Sequence, residues 1–91
     1  MGLVHYDIIV RGRVQGVWYR RSAVETAGRL GLTGFAMNHL DGTVRMEAEG
    51  TLEQMEKFLA WCAVGPPLAE VMHVERVPGR LKGYSSFEVR R

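Results

Sequence analysis

The hydrophobic period changes sharply near residue 18, and that change sets what the start of the chain can fold into. Val4, Tyr6, Ile8 and Val10 alternate with His5, Asp7 and Arg11, and only Ile9 interrupts the polar side. Such alternation makes a strand with one core face, ending near Gly12. Beyond residues 13–18, Tyr19, Ala23, Ala27 and Leu30 recur at spacings of four, four and three, one stripe of a helix. Gly31 is positioned to stop it.

The remaining segments follow the same logic. Residues 32–38 carry Phe35 and Met37 on one face, and Val44, Met46 and Ala48 alternate with Thr43, Arg45, Glu47 and Glu49. Asp41-Gly42 between them signals a hairpin. Thr51 with Gln54 three residues on forms a capping box, and Leu52, Met55, Leu59 and Cys62 give a second helical stripe, closed by Gly65-Pro66-Pro67. Residues 69–77 are valine-rich but alternate poorly, which suits a strand near a sheet edge, and residues 87–89 offer a short last strand. The order predicts an α+β fold, a ferredoxin-like βαββαβ sandwich with an antiparallel sheet and two helices on one face. No repeat or linker divides residues 1–91, so one domain is expected.

Composition narrows the class of protein. With 91 residues, 46% of them hydrophobic, the chain suits a core without disulfides, since a domain of this size removes about 60–65% of its unfolded surface from water. Cys62 stands alone and cannot form an internal disulfide or a clustered-thiolate metal site, which makes the cytoplasm the default compartment. No stretch reaches the roughly 18–20 apolar residues of a membrane span, and residues 1–7 lack a secretory pattern. The net charge of +2 is unevenly placed: Arg11, Arg13, Arg20, Arg21 and Arg29 crowd the first third, and Glu47, Glu49, Glu53 and Glu56 the middle. Such polarity draws a small anion to one end without making a nucleic-acid binder.

The junction between the first strand and helix is where chemistry is expected. Gly12 and Gly16 bracket a loop that ends at a helix start. There glycine permits left-handed backbone, successive N–H groups turn inward, and the helix dipole favours an anion. Arg20 adds a planar fork suited to two phosphate oxygens. From this pattern alone, a phosphate site and a purely structural turn stay equally open.

Longer motifs carry more. Gly12-Arg13-Val14-Gln15-Gly16-Val17-Trp18-Tyr19-Arg20 resembles the first signature of the acylphosphatase family, and Gly34-Phe35-Ala36-Met37-Asn38-His39-Leu40-Asp41-Gly42-Thr43-Val44 resembles its second. Gly65-Pro66-Pro67, Gly83-Tyr84 and Phe87-Glu88-Val89-Arg90 also look like the family, so the resemblance runs through nearly the whole chain. It implies hydrolysis of acyl phosphates to carboxylate and inorganic phosphate. It further implies that Arg20 binds the phosphate, that Asn38 orients the attacking water, and that backbone N–H groups of Gln15, Gly16, Val17, Trp18 and Tyr19 cradle the anion. No metal and no cofactor is implied, the partners are the small-molecule acyl phosphate and inorganic phosphate, and a monomer is the default.

Plainer readings stand beside these. Outside its motif, Arg20 would be a surface ion-pair residue and Asn38 a turn residue. Trp18, Tyr19 and Phe35 could stack on single-stranded nucleic acid, but the chain lacks an RNP-type aromatic cluster. His39 stands where the family often has a smaller residue. His5 and His73 have no ligand-spaced partners and read as surface or satisfied core residues. Cys62 reads as core, and Arg11 and Arg13 as added positive potential. Rival functions are a non-catalytic phosphate- or carbamoyl-phosphate-sensing module and an RNA-binding domain; the acyl group is not legible.

Overall fold

Seven elements follow one another in the computed structural model, which describes residues 2–91. They are β1 (Val4–Arg13), α1 (Tyr19–Leu30), β2 (Thr33–Asn38), β3 (Val44–Gly50), α2 (Leu52–Cys62), β4 (Glu70–Gly79) and β5 (Phe87–Arg90). The sheet order is β4-β1-β3-β2-β5. Its first four strands pair antiparallel, as the βαββαβ reading expects. β4 forms one edge, in keeping with its weak alternation.

The terminal strand departs from the antiparallel expectation. β5 pairs parallel to β2, with Gly34 opposite Phe87, and the sheet is mixed. After β4 the chain crosses the sheet face away from the helices through residues 80–86 and enters the far edge in the direction of β2. The Gly34 N–H secures this entry by donating to the Ser86 carbonyl at 2.9 Å.

Both helices bury their stripes on one face of the sheet. Ile8, Val10, Ala36, Val44, Met46 and Ala48 meet Tyr19, Ala23 and Ala27 of α1 and Met55, Phe58, Leu59 and Cys62 of α2. Each large side chain buried there contributes about 1.5–3 kcal/mol. The second stripe differs from expectation in one place. Leu52 is the first helical residue and is 51% exposed, while Phe58 is fully buried in the core. Thr51 and Gln54 do form the capping box, each side chain satisfying the other's backbone N–H.

β1 runs past Gly12 to Arg13, with a register shift between Arg11 and Gly12 against β4. Gly12 has φ +129°, and a Cβ there would lie 2.2 Å from the Glu70 carbonyl oxygen. Only glycine lets the two backbones approach this closely. The bulge bends the strand end as it feeds the loop before α1. Phe35 lies on the face away from the helices, where Tyr84 meets it edge-on at 5.9 Å and the Arg90 guanidinium covers it at 4.0 Å. Among the described residues, no helix is long and apolar enough to cross a membrane.

Candidate active site

Two buried valines pin the loop between β1 and α1. Val14 and Val17 enter the core, so the backbone between and beside them is held at the surface. Gly16 takes φ +74°, and Trp18, at the helix N-cap, takes φ +66° without any side-chain cap. Trp18 is the sole non-glycine with positive φ among the described residues. Left-handed residues at these two positions turn the chain tightly into the helix. The N–H groups of Gln15, Gly16, Val17 and Trp18 donate to no other group among the described residues. The first turn of α1 has no acidic residue to occupy its positive end.

Arg20 follows on the first turn of α1, half-buried, with Nη1 donating to the Arg90 carbonyl at 3.3 Å. β5 therefore restrains the guanidinium from the opposite side. Asn38 reaches the same place from β2. It shares the helix-side parity of Ala36, and the register sets Val10, Val44 and Asn38 in one row across β1, β3 and β2. The row ends beside the loop that β1 feeds. Gly16, Trp18, Tyr19, Arg20 and Asn38 line one open cleft of about 560 Å³, walled also by Val14, Arg21, Val89 and Arg91. Asn38 Oδ1 is shielded and accepts no hydrogen bond from the protein, so the fold does not consume this amide.

The residues named from sequence thus fall into three groups. Arg20, Asn38, Gly16, Trp18 and Tyr19 share the cleft. Gln15 and Val17 belong to the loop through their backbones, the Val17 side chain being core and the Gln15 side chain turned toward the β2–β3 hairpin. Tyr19 contributes mainly to the core, its hydroxyl donating to the Cys62 carbonyl at 2.7 Å. Arg11 and Arg13 lie outside the cleft, and Arg11 pairs with Glu75 at 3.7 Å. His39 turns onto its own hairpin, Nδ1 lying 3.1 Å from the Asp41 carboxylate. Hydrogen bonds from the Thr43 side chain and backbone hold Asp41 well below the usual carboxylate range. Arg21, Val89 and Arg91 are cleft residues that sequence reasoning missed.

A second polar cluster lies on the opposite face. His5 is nearly inaccessible, with Nδ1 2.7 Å from Glu49 and Nε2 2.8 Å from Asp7. Burial alone would lower its pKa, but those carboxylates and Glu47 outweigh burial and raise it. Glu49 also accepts the N–H groups of Lys82 and Gly83, and Glu47 holds Lys82 Nζ at 2.8 Å and the Tyr84 hydroxyl at 2.6 Å. Burial pushes both glutamates up, and these bonds bring them below their ordinary value. His5, Asp7 and Glu47 place ligand-type atoms within 4.8 Å of one another. Every one of these groups is already engaged by a neighbour, and of the two readings left open for His5, surface or satisfied and buried, the structure has the second, with partners that sequence spacing did not reveal.

The fold and its cleft, where the loop glycine Gly16, the start of α1, Arg20 and Asn38 meet, define a class of small two-helix α+β sandwich domains. The comparisons narrow it. The Acylphosphatase family model matches residues 6–89. An acylphosphatase of Methylococcus capsulatus is 56% identical over 64 residues, 70% of each chain, and one of Trichormus variabilis is 43% identical over 89 residues, 98% of this chain and 88% of the other. The solved acylphosphatase of Coxiella burnetii superposes with a TM-score of 0.94 at 34% identity, covering 97% of this chain and 93% of that one. The chain belongs to the acylphosphatase family, and it is a hydrolase of that kind.

Proposed function

We propose that the cleft hydrolyses the carboxyl–phosphate bond of acyl phosphates through Arg20, Asn38 and the backbone of residues 15–19. The observation that carries this reading is the shared cleft: Gly16, Trp18, Arg20 and Asn38 line one space although up to 22 positions separate them. The unengaged N–H groups and the helix start receive the phosphoryl oxygens, and the Arg20 fork adds charge and a bidentate fit.

An acyl phosphate is an activated anhydride with a good carboxylate leaving group. The protein needs to place a water in line and stabilise charge on the phosphoryl oxygens. The Asn38 amide is a hydrogen-bonding group whose oxygen the fold leaves without a protein partner, and the amide orients the water while the cradle holds the phosphorus. Water oxygen bonds to phosphorus as the phosphorus–acyl oxygen bond breaks, and the carboxylate leaves with that electron pair. The bound phosphate takes the water proton, since no strong general base stands in the cleft.

Phosphate release from benzoyl phosphate, with chelator present, tests the reading in wild type, Arg20→Gln and Asn38→Ala. Each variant should lose about 10²–10³ in kcat while remaining folded. A folded wild type that binds phosphate without turnover would replace the enzymatic reading with a sensing one.

A further inference from the structure

The side chain of Gln15 does something its backbone role does not require. Its Nε2 donates to the His39 carbonyl at 2.7 Å and to the Thr43 carbonyl at 2.9 Å. These are the two ends of the β2–β3 connection, themselves joined by the His39 N–H to the Thr43 carbonyl at 2.9 Å. His39 directly follows Asn38, and Thr43 directly precedes Val44, the register partner of Asn38. Gln15 directly precedes Gly16 in the cleft wall. Among the described residues, no other hydrogen bond ties the loop of residues 14–18 to the hairpin of residues 39–43.

We propose that Gln15 is a positioning residue that fixes the distance between the phosphate cradle and Asn38, and so the line along which water meets phosphorus. The proposal rests on the cleft being the hydrolytic site. Cradle and Arg20 belong to the β1–α1 body and bind phosphate by themselves. Asn38 belongs to the hairpin end of the sheet and must be held in register with that body. A displacement of about 1 Å between reacting groups is enough to cost roughly 10²-fold in rate. Loss of the Gln15 amide therefore acts on kcat and spares phosphate affinity. Both of its N–H donors are spent on carbonyl oxygens, so a carboxylate in the same place meets two acceptors and repels them.

The test uses Gln15→Glu and Gln15→Leu beside wild type and Arg20→Gln, with benzoyl phosphate turnover and inhibition by inorganic phosphate measured at about pH 8 and about pH 4. At the higher pH both variants should lose roughly tenfold or more in kcat, with the phosphate inhibition constant of the uncharged Gln15→Leu within about threefold of wild type. At the lower pH, Gln15→Glu regains a donor as its carboxyl protonates, and its kcat relative to wild type should recover; Gln15→Leu, which has no proton to regain, should not. Recovery confined to the glutamate variant supports a donor role and cannot come from general loosening of the fold. Variants that match wild type at both pH values overturn the proposal, as does a Gln15→Leu variant in which kcat and phosphate affinity fall together at both. Active wild type with inactive Arg20→Gln shows in the same experiment that the site reading holds, and an inactive wild type fails that reading separately.

Discussion

The Tyr19 hydroxyl donates to the Cys62 carbonyl at 2.7 Å, which joins the first residue of α1 to the last residue of α2. Helix ends leave their final carbonyls without intrahelical partners, and here a fully buried tyrosine next to Arg20 satisfies one. Removing only the hydroxyl, in Tyr19→Phe, should cost about 1 kcal/mol. A thermal melt should show Tm lower by about 4–8 °C. An unchanged Tm would mean that the carbonyl finds another donor.

The His5 cluster predicts a two-sided pH dependence. Both ring nitrogens face carboxylates, which when ionised only accept, so the folded state favours the protonated ring. Its pKa is raised above the ordinary 6.5, so its contribution is complete below that pH and fades as pH climbs through the folded value. Glu47 and Glu49 lie below their ordinary 4.5, so theirs is complete above it and fades as pH falls through their folded values. Denaturant midpoints should therefore peak between these limits. The deficit of His5→Gln relative to wild type should shrink toward alkaline pH, and a constant deficit would rule out a charged His5.

Two glycines should respond to alanine with opposite signs. Gly12→Ala drives a Cβ against the Glu70 carbonyl and should cost about 2–3 kcal/mol. Gly28 lies exposed inside α1, where a Cβ meets nothing within 4 Å. Gly28→Ala should therefore stabilise by about 0.5–1 kcal/mol. Urea unfolding of the pair reads both signs.

Cys62 should stay silent until the domain opens. Burial pushes its thiol up to about 12, and the side chain is inaccessible in the core. Labelling with a thiol reagent should proceed only as fast as unfolding permits. Rapid labelling of native protein would contradict this packing.

Much of this arrangement was legible in the residues because local physics decides it. The stripe of Tyr19, Ala23 and Ala27, the capping box of Thr51 and Gln54, and the alternation of Val44, Met46 and Ala48 each report on a few neighbouring positions. The loop with Gly16 and Arg20 was legible as a glycine turn into a helix start, open to an anion site or a plain turn, and only the longer motif brought in Asn38, which shares its cleft. Relations fixed by register across the sheet were not legible. His5 meets Glu49 only because β1 and β3 pair in one register, and no spacing along the chain encodes it. Phe35 read as an apolar-face residue, yet its partners Tyr84 and Arg90 come from the crossing segment and β5. The parallel direction of β5 depends on which edge residues 80–86 can reach. Gln15 drew attention for its backbone, and its side-chain bonds depend on where the hairpin folds back.

The strand order also governs how the domain can assemble. β1 and β2, which flank α1, are not neighbours, and β3 lies between them; β3 and β4, which flank α2, are likewise separated by β1. Each βαβ half is a frame with a one-strand gap, and each carries the strand that fills the other's gap. Neither half alone can complete its backbone ladder. Severing the hairpin between Asn38 and Val44 would yield two fragments that fold only by recombining, and the cleft exists only in the joined product.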